Sequence, residues 1–202
     1  MEYIYKEGKD KNKPLLLLLH GTGGSEQDLL SVASYIDDQA SVLSLRGDVN
    51  ENGMLRFFKR LQEGIFDEVD LVERTHKLYD FIGELSVKYN FDKDNILAIG
   101  YSNGANMIGS LLFHYGQLFK GATLYNPMVP LRSIKLKDLS STPIFIGAGN
   151  NDPICSKDES IELEGLLKSV NADVTMHWEN NGHALTSTEI QASKDWYNQL
   201  SF

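Results

Sequence analysis

Ile96-Leu97-Ala98-Ile99-Gly100-Tyr101-Ser102-Asn103-Gly104-Ala105 is the stretch on which the reading of this chain turns. An apolar run rich in branched side chains feeds straight into a Gly/Ser/Asn cluster, and helix-compatible residues follow from Ala105. That order predicts a buried strand, a sharp turn and a helix, with Ser102 at the apex of a G-x-S-x-G elbow. A serine at such an apex holds a strained backbone so that its hydroxyl stands clear of the sheet, while the flanking chain passes close by. Glycine at 100 and 104 omits the β-carbons that would collide there. The pattern by itself also describes an ordinary turn, so the rest of the chain has to decide.

Outward from the elbow, strands and helices alternate. Leu15 to Leu19 is a continuous apolar run of the kind buried on both faces of a parallel sheet, and it ends in the turn His20-Gly21-Thr22-Gly23-Gly24. Ser25 with Asp28 reads as an N-terminal cap for a helix carrying Leu29, Leu30, Val32, Ala33 and Ile36. Ser41 to Leu45 is a second strand, and Tyr3 to Tyr5 a short edge strand. Leu71, Thr75, Leu78, Ile82 and Leu85 recur at steps of four and three, which predicts an amphipathic helix ending before Asn90. Gly121 to Tyr125, Pro143 to Gly147 and Val174 to Trp178 are further strands. Ser156 with Glu159 and Thr186 with Glu189 have capping-box spacing at the starts of the last two helices. The polar segment from Asp48 to Asp70 breaks the rhythm; a connection of that length is functional or holds a short helix of its own. The expected fold is α/β, a mostly parallel central sheet with helices on both faces, right-handed crossovers and one domain over residues 1–202.

In such a sheet, ligands gather beyond the carboxyl ends of the strands. The loops His20 to Gly24, Ser102, Asn150 to Asp152 and Asn181 to His183 all fall there. Nucleophilic catalysis at serine needs a base within hydrogen-bond reach and an acid that fixes the base's tautomer. Ser102, Asp152 and His183 supply these types, in the chain order of an α/β-hydrolase. Other carboxylates are worse placed: Asp158 at a helix start and Asp173 in a helix-to-strand turn. His76 and His114 belong to helices, His177 to a strand face beside Trp178, and His20 braces its turn as a structural residue.

Composition excludes other classes. With 42% hydrophobic and 23% charged residues over 202 positions, the chain is globular. A net charge of −9 leaves no basic excess to neutralise phosphates, so neither nucleic acid nor an anionic membrane surface is an expected partner. Cys155 is the one cysteine, which excludes an internal disulfide and fits a reducing compartment. The longest apolar run is far too short to span a bilayer, and the N-terminus has no signal-peptide pattern, so a cytoplasmic location is expected. Glu26 stands where the third glycine of a dinucleotide fingerprint belongs, and no metal-ligand spacing occurs; no cofactor and no metal are expected.

The chain resembles the phospholipase/carboxylesterase branch of the α/β-hydrolases, small esterases related to acyl-protein thioesterases, and within it the bacterial carboxylesterases of the hydroquinone-associated type. The resemblance rests on Leu-Leu-His-Gly-Thr-Gly-Gly at 18 to 24, Arg46-Gly47, Glu51-Asn52-Gly53-Met54 with Phe57-Phe58, Gly-Tyr-Ser-Asn-Gly-Ala at 100 to 105, Asn-Pro-Met-Val-Pro at 126 to 130, Asn151-Asp152-Pro153 and Gly182-His183. It implies Ser102 as nucleophile, His183 as general base and then acid, and Asp152 as its orienting partner. The backbone N–H groups of Thr22 and Asn103 would form the oxyanion hole, supported by His20, Gly21, Gly100 and Gly104. Phe57, Phe58 and Met128 are the expected substrate-pocket residues, with Phe66 a further wall. Asn126 departs from some relatives, which bears on the acyl or alcohol pocket. The implied activity is hydrolysis of small or short-chain carboxylic esters at an open site without a large cap domain. The alternatives are an acyl-protein or acyl-CoA thioesterase or lysophospholipase, and a ligand receptor on the same scaffold. A homodimer stays open.

Overall fold

The computed structural model describes residues 1–140 and 142–201. A seven-stranded sheet runs β1 (Tyr3–Lys6), β3 (Val42–Leu45), β2 (Leu15–Leu19), β8 (Ile96–Tyr101), β9 (Gly121–Tyr125), β10 (Pro143–Gly149) and β11 (Asp173–Glu179) in spatial order. All neighbours are parallel except β1, which pairs antiparallel with β3 at the edge.

β2 shows why the sheet is covered on both faces. All five of its leucines are at most 3% exposed. Leu15, Leu17 and Leu19 point into one layer with α2 (Glu68–Tyr89), α3 (Asn103–Tyr115) and α4 (Lys157–Ser169). Leu16 and Leu18 point into the other, with α1 (Leu30–Ile36) and α5 (Ser187–Tyr197). Side chains alternate along a strand, so a strand buried on both faces must be apolar at every position.

Helix α2 carries the expected stripe of Leu71, Thr75, Leu78, Ile82 and Leu85. Asp67 caps it by accepting from the Asp70 N–H, and Asn90 closes it in the left-handed region at φ 53°. The buried Thr75 hydroxyl is satisfied by Leu71 O and Ser110 Oγ, both at 2.7 Å. Thr186 forms a full capping box with Glu189, whereas Ser156 only accepts from the Glu159 N–H. The cap expected at Ser25 belongs to a turn instead. Its Oγ accepts from Gln27 N–H and donates to Asp28 at 2.9 Å, and α1 begins only at Leu30 without a side-chain cap.

The segment between β3 and α2 contains no lid helix. It folds as two small hairpins, β4 (Val49–Glu51) with β5 (Met54–Arg56), and β6 (Arg60–Gln62) with β7 (Ile65–Phe66). The connection between β9 and β10 joins two parallel strands, with no crossover helix among its described residues. Neither connection holds a cap domain among the described residues, and no helix there is long and apolar enough to cross a membrane.

Candidate active site

Ser102 sits between the end of β8 and the start of α3 at φ 50°, ψ −112°, a conformation that a residue with a β-carbon rarely adopts. It is pinned from both sides: its N–H donates to Tyr125 O at 2.8 Å and its carbonyl accepts from Asn106 N–H at 2.9 Å. The elbow is packed as tightly as the sequence predicts. A β-carbon on Gly104 would lie 2.0 Å from Leu19 O, and one on Gly100 would lie 2.7 Å from the Ala105 backbone.

The loops after β10 and β11, neighbouring parallel strands, bring Asp152 and His183 to this serine. Ser102 Oγ is 2.8 Å from His183 Nε2, and His183 Nδ1 is 2.6 Å from Asp152 Oδ2. An ionised carboxylate only accepts, so Nδ1 carries the proton and Nε2 faces the serine hydroxyl as acceptor. The other oxygen of Asp152 accepts from the N–H groups of Ile154 at 2.8 Å and Cys155 at 3.0 Å. With its side chain 1% exposed, the carboxylate is held on both oxygens. The His183 carbonyl is held too, accepting from the Tyr101 hydroxyl at 2.7 Å and Asn126 Nδ2 at 2.8 Å. Asn126 is 2% exposed, so it serves the histidine loop from beneath and does not wall a pocket.

Asn103, the first residue of α3, uses its side-chain oxygen to accept from Phe57 N–H at 2.7 Å. At a helix start the backbone N–H groups have no intrahelical partner, and the dipole favours negative charge. The turn carrying Thr22 is braced by His20, as expected. His20 Nδ1–H donates to Gly21 O at 2.6 Å, while Nε2 accepts from Gly47 N–H at 3.0 Å. Burial pulls the His20 pKa down, in keeping with a neutral ring that donates on one side and accepts on the other. Gly23 N–H donates to Leu55 O at 2.8 Å and Arg56 Nη1 donates to Thr22 Oγ1 at 2.7 Å, tying the turn to the first hairpin.

Ser102 and His183 open into a cleft of about 270 Å³ that Thr22, Asn103, Met128 and Phe66 also line. Larger hollows lie elsewhere, of about 570 Å³ beside His114 and Leu131, about 450 Å³ beside Tyr35 and Asp37 and about 440 Å³ beside Tyr5 and Tyr89, but none of the three holds a serine hydrogen-bonded to a histidine that is in turn held by a carboxylate. Met128 and Phe66 line the cleft at Ser102. Phe57 and Phe58 do not: they are 1% and 0% exposed and belong to the core. Phe57 backs the His20 ring at 4.8 Å, and Phe58 meets Phe66 edge-on at 5.0 Å, so the two support the wall without forming it. Met54, Arg56, Arg60, Tyr101, Asn106 and Ile154 also line the cleft, with Glu63 and Gly64 beside them, and none was assigned to the site from the sequence. Met54 and Tyr101 alone carried a signal, since both lie in motifs behind the family resemblance.

The rival residues are engaged elsewhere. Asp158 lies in the first turn of α4, and Asp173 opens β11 at the far end of the sheet. His76 meets the Tyr115 hydroxyl, His114 the Ser110 carbonyl, and His177 the Glu179 carboxylate. Cys155 is 2% exposed with its thiol on Pro127 O, and burial pushes its pKa up to about 12.

A family model described as Phospholipase/Carboxylesterase matches residues 3–201. The Bacillus subtilis protein MhqD is 51% identical over 199 residues, 98% of each chain. The solved structure of a Bacillus cereus carboxylesterase superposes with a TM-score of 0.97 at 58% identity, covering 98% of this chain and 94% of that one. YahD, solved with malic acid, gives 0.93 at 31% identity over 99% of both chains. On its sheet, its elbow and these matches, the chain belongs to the phospholipase/carboxylesterase family and has the α/β-hydrolase fold.

Proposed function

We propose that this protein hydrolyses small carboxylic esters through an acyl-serine intermediate, with Ser102 as nucleophile, His183 as base and acid, and Asp152 as its orienting partner. The observation that carries this is the unbroken relay of 2.8 Å from Ser102 Oγ to His183 Nε2 and 2.6 Å from His183 Nδ1 to Asp152. In the first step Ser102 Oγ bonds to the ester carbon while its proton passes to His183 Nε2. The backbone N–H groups of Thr22 and Asn103 stabilise the negative oxygen that results. Collapse breaks the bond to the alcohol oxygen, which takes the proton from His183. Water then attacks the acyl carbon, gives its proton to His183, and releases the acid as Ser102 recovers its hydrogen. A cleft of about 270 Å³ supports a compact substrate.

Intact-mass analysis after fluorophosphonate treatment tests the nucleophile without a guess at the ester. One adduct on the wild type and none on Ser102→Ala is the expected result. Ester hydrolysis by Ser102→Ala should fall by about 10⁴-fold or more. A folded wild type that takes no adduct would overturn the reading in favour of a receptor on the same scaffold.

A further inference from the structure

We propose that the cleft selects esters that carry a free carboxylate close to the scissile bond, with Arg56 as the residue that binds it; this rests on the ester-hydrolase reading above. Arg56, at the end of β5, lines the cleft yet is 4% exposed. Its Nη1 donates to Thr22 Oγ1 at 2.7 Å and its Nε to Phe58 O at 3.2 Å, both neutral acceptors. The nearest carboxylate, Glu51, is 3.6 Å from Nε, and Arg60 takes that same carboxylate at 3.0 and 3.1 Å.

Arg60 lines the cleft as well, so two guanidiniums share one counter-ion at its wall, and the remaining carboxylate there, Glu63, sits on the exposed rim. A buried cation is stable only when charge or hydrogen bonds offset its lost hydration. Arg56 has five N–H donors in a rigid fork, and among the described residues no hydrogen-bond partner meets its Nη2. Burial, then the neighbouring charge of Arg60, pulls its pKa down, as befits a cation short of negative charge. The bond to Thr22 fixes where that charge is lacking. Thr22 is the residue whose N–H is proposed to hold the oxyanion, so an acceptor on Nη2 lies within a short chain of the reacting carbonyl. A planar carboxylate matches the guanidinium fork, and the Met54, Phe66 and Met128 side chains leave apolar room for the carbons between.

Two isosteric pairs test this: monoethyl succinate against ethyl succinamate, with the charge on the acyl side, and O-acetylglycolate against O-acetylglycolamide, with the charge on the alcohol side. The expected result is a preference of about tenfold or more in kcat/KM for the carboxylate of one pair, the size of one charge-assisted hydrogen bond. In Arg56→Gln and in Arg60→Gln the ratio within that pair should shrink toward one. A ratio removes general damage to the Thr22 turn, and the Arg60 variant covers an Arg56 variant that fails to fold. Equal rates within both pairs, or a preference that survives both substitutions, would overturn the proposal and leave Arg56 as a brace of the turn. If no ester is turned over but fluorophosphonate labels Ser102, succinate must slow the labelling more than succinamide does; equal protection is a negative result. If Ser102 takes no label, the hydrolase reading falls and the anion site with it.

Discussion

Asn126 Nδ2 donates to the main-chain carbonyl of His183 at 2.8 Å, and the Tyr101 hydroxyl shares that oxygen at 2.7 Å. The histidine loop is therefore fixed through its backbone, independently of the Asp152 contact on the ring. Tyr101→Phe and Asn126→Gly each remove one donor; glycine adopts the φ of 49° at position 126 without strain. Each loss should cost about 1 kcal/mol of alignment, lowering kcat about fivefold with little change in KM. Initial rates on one ester, with the double variant to expose coupling between two donors on one acceptor, provide the check.

Two glycines should respond oppositely to alanine. Gly104→Ala puts a methyl carbon 2.0 Å from Leu19 O, a backbone atom that cannot swing aside. It should lower stability by about 3 kcal/mol or more and remove fluorophosphonate labelling. Gly165 lies inside α4 with nothing within 4 Å of an added β-carbon. Gly165→Ala should raise stability by about 0.5–1 kcal/mol through helix propensity. Urea denaturation of both variants measures the pair.

Glu189 makes stability depend on pH. It is 1% exposed, its Oε1 has no partner among the described residues, and its Oε2 meets only Thr186 N–H at 3.5 Å. Burial pushes its pKa up to about 7; the Thr186 N–H opposes that shift and the charge of Glu179 adds to it. Because the folded carboxyl binds its proton more tightly than the unfolded one, its stabilising effect is complete below about 4.5 and is lost as pH rises through about 7. At pH 8 the deficit is about 3 kcal/mol at most. Glu189→Gln keeps an acceptor for Thr186 and should flatten this slope; unfolding free energies of both proteins at pH 5 and pH 8 decide it.

Cys155 should be inert in the folded protein. Its thiol is buried against Pro127 O with a pKa near 12, so almost no thiolate exists at neutral pH. Disulfide-exchange reagents should modify it only at the rate of unfolding, rising sharply through the denaturant transition.

The central sheet and the Ser102, Asp152 and His183 set were legible because both leave strong local marks. A strand buried on two faces has to be apolar throughout, and an elbow needs glycine where chain crosses chain. The hairpins over 49–66 were not legible, since strands of two or three residues are too short to show alternation. Phe57 and Phe58 were misplaced because an aromatic residue has the same apolar signature whether it lines a cleft or lies beneath its wall. Ser25 and Asp28 close a turn with the same side-chain chemistry that caps a helix, so spacing alone did not separate the two. Arg56 gave no warning, as a lone arginine looks solvated until the fold buries it, and Asn126 was singled out for a pocket wall where the fold makes it a buried donor to the histidine loop.

The two hairpins set one wall of the cleft apart from the strands that hold Ser102, Asp152 and His183. Ser102, Asp152 and His183 ride on the ends of β8, β10 and β11, whereas Met54, Arg56, Arg60 and Phe66 come from ribbons paired only with each other. The ribbons are nonetheless moored to the elbow, because Leu55 O accepts from Gly23 N–H and Phe57 N–H donates to the Asn103 side chain, so a change that shifts the cleft wall also strains the turn beside Ser102.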